Sequence, residues 1–271
     1  MSAFQSGYAA RAELLTIGDE ILTGRTVNTN AAYLARKLTL LGFVVKRITV
    51  VEDGQAQISQ AITEALSREI ELLVVTGGLG PTYDDVTMES VAVALSRKMK
   101  KDEQAAVWVG GSVAREGQQM TPERLKMAYL PEGAKPLQNP VGMAVGAWIE
   151  LGEGKTQRIV VLPGVPSEME AMFEHHVVPV LAREQSLFLA EKEFKVLGIY
   201  EASLAPFVRQ LVSQDELLYV KTHPRLEAGK PSMLVHVEYA SQSKQKAQDS
   251  VEAASLLIQR EVERLGGKVE S

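Results

Sequence analysis

The stretch Val74 to Asp85, "VVTGGLGPTYDD", joins two opposite kinds of sequence. Behind it lies the run from Ile70 to Thr76, which is nearly all apolar. That is the pattern of a strand buried on both faces of a sheet. Ahead of it, three glycines, a proline and two adjacent aspartates crowd into Gly77–Asp85. A central strand that empties into such a loop sets the frame for the rest of the chain.

Working outward, Glu13–Ile17 reads as a first strand ending at Gly18, followed by the loop "GDEILTGRTVN". A helix from about Ala31 to Leu41 has Leu34, Ala35, Leu38 and Leu41 at helical spacing, with Asn28 or Asn30 able to cap it and Gly42 to stop it. Phe43–Val51 is the second strand. Gln55–Ser67 is an amphipathic helix with Ile58, Ala61, Ile62, Ala65 and Leu66 on one face. A helix near Val86–Ser96 follows the glycine loop, then an irregular region through "LPEGAKPLQNPVG". "AWIEL" and "RIVVLPG" read as strands around a turn at Gly152–Gly154, and "SEMEAMFEHHVVPVL" as a closing helix. Strand and helix in alternation predict a mostly parallel sheet covered by helices.

The tail has another order. It reads as a strand in "EKEFKVLGIY", a helix in "SLAPFVRQLVSQ", two strands around a polar loop, and a long helix over Ser243–Leu265. We therefore divide the chain at residue 185, with a first domain over 1–185 and a small β-α-β-β-α domain over 186–271. The bulk numbers agree with an ordinary globular chain of 271 residues, 45% hydrophobic and 23% charged. A net charge of −5 offers no basic surface for nucleic acid and no electrostatic membrane anchor. The basic run Arg97–Lys101 reads as a solvated helix end. There is no cysteine, so disulfides and thiol chemistry are out, and a reducing compartment fits. No signal peptide and no bilayer-length apolar run of roughly 20 residues is visible, so a cytoplasmic location is expected.

In an open α/β sheet, ligands bind at the carboxyl ends of the strands. Three loops leave such ends here: "TIGDEILTGR", "TGGLGPTYDD" and "LPGVPSEMEAM". Glycine lets backbone approach a ligand, and a helix N-terminus suits phosphate. Gly77, Gly78 and Gly80 precede such an N-terminus, but Asp84 and Asp85 would repel a phosphate. A divalent cation between carboxylates and phosphate removes the conflict, with Asp19 and Glu20 able to complete the acidic set. A structural alternative exists for each group. Thr82 with Asp85, and Ser167 with Glu170 behind Pro166, match capping boxes. Gly18, Gly24 and Gly164 suit plain turns, and Glu168 faces either way. The chain lacks GxGxxG, GxxxxGK[ST], GxSxG and HExxH patterns, and its four histidines read as surface or core residues.

Together, "TIGDEILTGRTVNTNAAYLARKLTLLGFVV", "VVTGGLGPTYDDVT", "LPEGAKPLQNPVG" and "VVLPGVPSEMEAM" resemble the CinA family. The likeness is to its N-terminal domain, of the molybdopterin-binding MoaB/Mog-like superfamily, over about residues 12–182. The tail resembles the KH-like domain that follows it in CinA proteins, without a GxxG clamp, so RNA binding is not inferred. The resemblance implies a three-layer α/β/α fold with a small α+β domain behind it. Full-length CinA proteins add an amidohydrolase domain, for which no room remains before Ser271, so deamidase activity is not expected. Relatives of the N-terminal domain are described as metal-dependent ADP-ribose pyrophosphatases, a similar domain in FAD synthases hydrolyses FAD, and Mog-like proteins bind and activate molybdopterin. Three positions depart from the family's pattern. Tyr83 stands where it usually has histidine, and "NPVGMAVG" puts Met143 and Val145 where "NPVGTAPG" is usual.

Residues and resemblance together imply hydrolysis of a dinucleotide pyrophosphate, with ADP-ribose the leading substrate. The alternatives are pterin binding or adenylylation of Mog type, and a catalytically idle nucleotide-binding module. Asp84, Asp85 and Glu168 are the candidate catalytic groups, and Asp19, Asp84 and Asp85 the candidate metal ligands. The metal would be Mg²⁺, Mn²⁺ or Co²⁺, with a monovalent cation as a further candidate. Candidate ligand contacts are Gly18, Glu20, Asn28, Asn30, Thr76, Gly77, Gly78, Gly80, Pro81, Thr82, Gly142 and Gly164. The expected partners are a small nucleotide or pterin and further copies of the chain, with neither nucleic acid nor membrane.

Overall fold

All five residues of the strand before the glycine loop are buried in the computed structural model, which describes residues 10–152, 157–184, 187–227 and 229–270. The first strands are β1 (Ala10–Ile17), β2 (Phe43–Val51) and β3 (Leu72–Thr76). Helices α1 (Asp19–Leu22), α2 (Thr29–Leu40), α3 (Gln55–Ser67) and α4 (Thr87–Ala94) follow the strand ends or link the strands. Next come β4 (Met99–Lys101), α5 (Glu103–Arg115), α6 (Pro122–Lys126), β5 (Tyr129–Pro131), β6 (Lys135–Leu137), β7 (Gly146–Leu151) and β8 (Gln157–Leu162). Helix α7 (Pro166–Met172) runs through a π turn at Phe173–Val177 into α8 (Val178–Glu184).

The six-stranded sheet has the order β2-β1-β3-β8-β7-β6. β1, β3 and β8 are parallel neighbours in a shared register, Thr16 beside Thr76 beside Leu162. β7 and β6 run antiparallel at one edge, so the sheet is mostly but not wholly parallel. Alternation divides the side chains between two helical layers. Leu15, Ile17, Leu73, Val75, Ile159 and Val161 pack with Ile58 and Ile62 of α3 and Val91 of α4. Beyond the other face, α2 meets the π turn, where Tyr33 lies edge-on to Phe173 and donates to Glu174 at 2.6 Å. Arg68, just past α3, grips the buried Glu13 of β1 through two 2.7 Å bonds.

Two stretches differ from the sequence reading. The region between residues 102 and 129, in which no element was read, is structured. It holds α5, capped by Asp102, and α6, capped by Thr121, around a small core of Ala105, Val109, Val113, Met127 and Val145. The run Arg97–Lys101 is not a helix end. Ser96 turns the chain at φ 53°, and Met99–Lys101 pair with β5, where Lys100 reaches Glu132. The predicted turn at Gly152–Gly154 lies partly outside the described residues.

Contacts divide the chain into two units, one of Ala10–Leu38 with Val44–Glu184, the other of the residues from 187 onward with Thr39–Phe43. The second unit contains β9 (Phe188–Leu197), α9 (Glu201–Gln214), β10 (Leu218–Glu227), β11 (Lys230–Ser241), α10 (Lys244–Arg264) and β12 (Lys268–Glu270). Its antiparallel sheet, β10-β11-β9-β12, has one strand more than the sequence suggested, because the last residues pair with the edge of β9. Ala247, Val251, Ala254, Ile258 and Val262 of α10 pack on Phe194, Val196, Val235 and Val237. Among the described residues, no helix is long and apolar enough to cross a membrane.

Candidate functional site

Because β1, β3 and β8 end side by side, their loops share one rim of the sheet. Neighbouring strands lie about 4.8 Å apart, so each loop is within reach of the next. On the first loop, Asn28 divides its side chain. Its amide donates to Thr16 Oγ1 at 3.1 Å, and its oxygen accepts from the Ala31 N–H at 3.1 Å, capping α2. Asn30 does not cap. Its Nδ2 donates to the Gly164 carbonyl at 2.8 Å, tying the β1 loop to the β8 loop. Asn30 Oδ1 and Thr76 Oγ1, both buried at this rim, have no hydrogen-bond partner.

The β3 loop is built around its glycines. Gly77 has φ 105°, and a Cβ there would stand 2.3 Å from the Ile17 carbonyl oxygen. Its N–H donates to Leu162 O at 3.1 Å, so this amide holds the loop and is not free for a phosphate, as the sequence had suggested. Gly78, φ 63°, leaves the space into which Thr87 Oγ1 reaches, to donate to Gly77 O at 2.8 Å. The N–H groups of Gly78 and Gly80 donate to no partner among the described residues.

Asp85 does not cap α4, whose N-cap Val86 carries no side-chain bond. It turns back to accept from Thr82 N at 2.9 Å and Thr82 Oγ1 at 2.6 Å, in space that a side chain on Gly80 would fill. The same hydroxyl also contacts Asp84 Oδ1, and holds that carboxyl below the usual range. Thr82 has one proton for two carboxylates. Lys126 of α6 pins the loop from outside, donating to the Thr82 and Asp85 carbonyls at 2.7 Å each. Pro81 lies on the exposed limb of the loop, and Tyr83, 93% exposed, projects from its tip.

Glu168 sits in the first turn of α7, but its partner is not an aspartate of the β3 loop. Asn139 Nδ2 donates to it at 2.6 Å, while Asn139 Oδ1 accepts from Val141 N and Gly142 N. Gly142 is pressed against the Glu168 carboxyl, where a Cβ would lie 2.3 Å from Cδ. The capping box read at Ser167 and Glu170 does not form. The N-cap is Val165, without a side-chain bond, because Pro166 at the first turn has no N–H to satisfy.

One site residue went unread. Asp53 follows β2, and its Oδ2 accepts from the Asp19 N–H at 2.9 Å. Burial raises its pKa, as do the charges of Asp19, Glu20 and Asp84, while the Asp19 amide pulls the other way. The strand-end rule applied to β2 would have found it. Asn139 and Lys126 act through contacts that span 29 and 41 residues or more, and carry no local signal.

The folded carboxyl of Asp53 holds its proton more tightly than the unfolded one. Its stabilising share is therefore complete below the ordinary 3.8 and is lost as pH rises through the raised value. Asp53→Asn is expected to be more stable than the wild type at neutral pH without metal, with the difference closing toward pH 3.8. Urea midpoints across that range measure it, and equal midpoints at neutral pH would refute it.

The donors at this rim are hard oxygens, suited to Mg²⁺ or Mn²⁺. Among the described residues, Asp19, Asp84 and Asp85 do not bring three ligand oxygens within 4.8 Å of one another. An ion here would complete its shell with water and ligand oxygens.

The fold and this rim define an α/β protein whose glycine- and carboxylate-bearing loops gather at the ends of its parallel strands. The chain belongs to the family described as "Probable molybdopterin binding domain", whose model matches residues 13–183. Within it, the chain has a CinA-like N-terminal domain of MoaB/Mog type. A protein of Pyrobaculum aerophilum is 45% identical over 89% of this chain and 90% of its own. One of Metallosphaera sedula is 41% identical over 96% and 97%. The crystal structure of the CinA protein of Thermoplasma acidophilum, described as of unknown function, is 42% identical with a TM-score of 0.57. It covers 61% of this chain and 95% of that one.

Proposed function

We propose that this chain binds a phosphorylated pterin of the molybdopterin type at the carboxyl ends of β1, β3 and β8. The observation that carries the reading is the pair of amides at Gly78 and Gly80 that donate to no partner among the described residues. Such amides suit a phosphate oxygen. The buried Asn30 Oδ1 and Thr76 Oγ1 add acceptor and donor capacity that the fold leaves unused. Family membership favours a pterin over other phosphorylated ligands.

A second reading, hydrolysis of a dinucleotide pyrophosphate such as ADP-ribose, rests on the carboxylates. Burial, with the charges of Asp19, Glu20 and Asp84 adding to it, raises the pKa of Asp53, and two aspartates compete for the Thr82 proton. A divalent cation relieves both strains. Asp19, Asp84 and Asp85 would hold it, and when bound it supplies a polarised phosphate and an acidified water.

Calorimetric titration with molybdopterin, with and without chelator, tests the first reading. We expect binding that weakens at least tenfold in Asp85→Ala, since Thr82 N and Oγ1 lose their acceptor and the loop loosens. Unchanged affinity would refute the placement. Incubation with ADP-ribose, FAD and NAD under Mg²⁺, Mn²⁺ and Co²⁺, followed by chromatography for AMP, tests the second. AMP that disappears with chelator and in Asp85→Ala would establish hydrolysis. No AMP under any metal would discard it.

A further inference from the structure

The sheet of the C-terminal unit has two unlike faces. Phe194 and Val196 on β9, and Met233, Val235, Val237 and Tyr239 on β11, belong to the core that α10 covers. The alternate residues therefore lie on the other face. There the register sets Glu238 opposite Glu191 and His236 opposite Glu193, on adjacent antiparallel strands. The side chains of His236, Glu238 and Glu191 are 17%, 18% and 27% exposed, so these are largely covered polar groups.

We infer that Glu191, His236 and Glu238 form a binding site for a divalent first-row transition ion, bridging β9 and β11. One ligand atom from each of the three lies within 4.8 Å of the other two. His236 Nε2 stands 2.7 Å from Glu238 Oε1 and 3.9 Å from Glu191 Oε2. Ligands about 2.0–2.1 Å from a tetrahedral ion stand roughly 3.3 Å apart, and the two observed distances bracket that value. Small rotamer adjustments bring all three donors onto one ion.

The second nitrogen strengthens the assignment. His236 Nδ1 lies 2.9 Å from Glu193 Oε1. A carboxylate on Nδ1 fixes the ring, the usual outer arrangement of a ligating histidine, and a metal on Nε2 would take the place of the proton that Nε2 now donates to Glu238 Oε1 at 2.7 Å. One nitrogen with two carboxylate oxygens favours Zn²⁺, Co²⁺ or Mn²⁺ over Mg²⁺ or Ca²⁺. Three protein ligands leave a fourth position for water. A plain ion-pair network around a protonated ring is the competing account, and it predicts no metal affinity.

This site is separate from the strand-end rim and does not depend on the function proposed there. The test uses the full chain, stripped with chelator and dialysed, in mildly alkaline buffer. Co²⁺ is added and its visible absorption followed, and Zn²⁺ is then titrated by calorimetry. We expect one Co²⁺ per chain with a histidine-dependent band, displaced by Zn²⁺ and abolished in His236→Gln. Glu238→Gln and Glu191→Gln should each weaken binding at least tenfold, and Glu193→Gln by about 10–100-fold. The pair Asp84→Asn with Asp85→Asn should leave this event unchanged. If wild type shows no such event, or one that survives His236→Gln, the assignment is overturned. Circular dichroism checks the fold of each variant. If His236→Gln does not fold, the two ligand glutamines decide, and unchanged affinity in both overturns it.

Discussion

Gly77→Ala is expected to remove ligand binding at the strand-end rim and to cost roughly 2–6 kcal/mol of stability, summing about 1–3 for an unfavourable backbone conformation and about 1–3 for overpacking. Two effects coincide at this residue. Its φ of 105° is one that side chains rarely tolerate, and the new Cβ would stand 2.3 Å from a backbone oxygen, Ile17 O, in the middle of the sheet edge. Main chain cannot swing aside as a side chain would. Relief requires the β3 loop to move away from β1, which breaks the Gly77 N to Leu162 O bond and displaces Gly78 and Gly80. Gly24→Ala is the control. It too has a positive φ, 72°, but nothing lies within 4 Å of the added Cβ. It should lose about 1 kcal/mol and bind normally. Denaturant unfolding and ligand titration on both variants measure this. Equal losses would show that backbone conformation alone matters, and that the close approach to β1 does not.

The second large effect lies away from the site. Arg68→Ala is expected to destabilise by about 3 kcal/mol, the lower end of the range for breaking a buried pair. Glu13 has a side chain only 3% exposed, and both its oxygens are taken by the guanidinium. Arg68 is 32% exposed, so water can follow its removal and hold the loss to that lower end. Arg68→Lys should recover little, because an ammonium cannot make the two parallel bonds. The double variant Glu13→Gln, Arg68→Ala should be less damaged than the sum of the two singles. Strict additivity in the unfolding free energies would refute the coupling.

Both variants mark the limit of what periodicity can read. β2 and α3 have the bounds read from their residues, because nine residues rich in β-branched side chains, and an apolar stripe at helical spacing, each specify one conformation locally. Helices α5 and α6 escaped. Gly110 and Gly111 interrupt the one, and the other has only five residues, so the apolar positions that bury Ala105, Val109 and Val113 make no continuous pattern. At the candidate site, residue types singled out the strand-end loops but not the bonds within them. Thr82 and Asp85 have the spacing of a cap, yet Asp85 faces back into the loop, because Gly80 leaves room there and Lys126 holds the carbonyls from behind. Glu168 was suspected as a lone acid, whereas its environment is set by Asn139, far off in sequence.

What the sequence determined by itself is the alternation of strand and helix, the loops that leave the strand ends, and the glycine-and-carboxylate character of those loops. Those follow from local spacing and from the conformational freedom of glycine, which are written into adjacent residues. The tertiary structure alone decided which amides stay undonated, which carboxylates meet, and that Asp53, Asn139 and Lys126 complete the rim. It alone set His236 among three glutamates, since that meeting depends on the register of two strands joined across about 40 residues. Contacts of that range are chosen by packing of the whole sheet, and no window of sequence contains them.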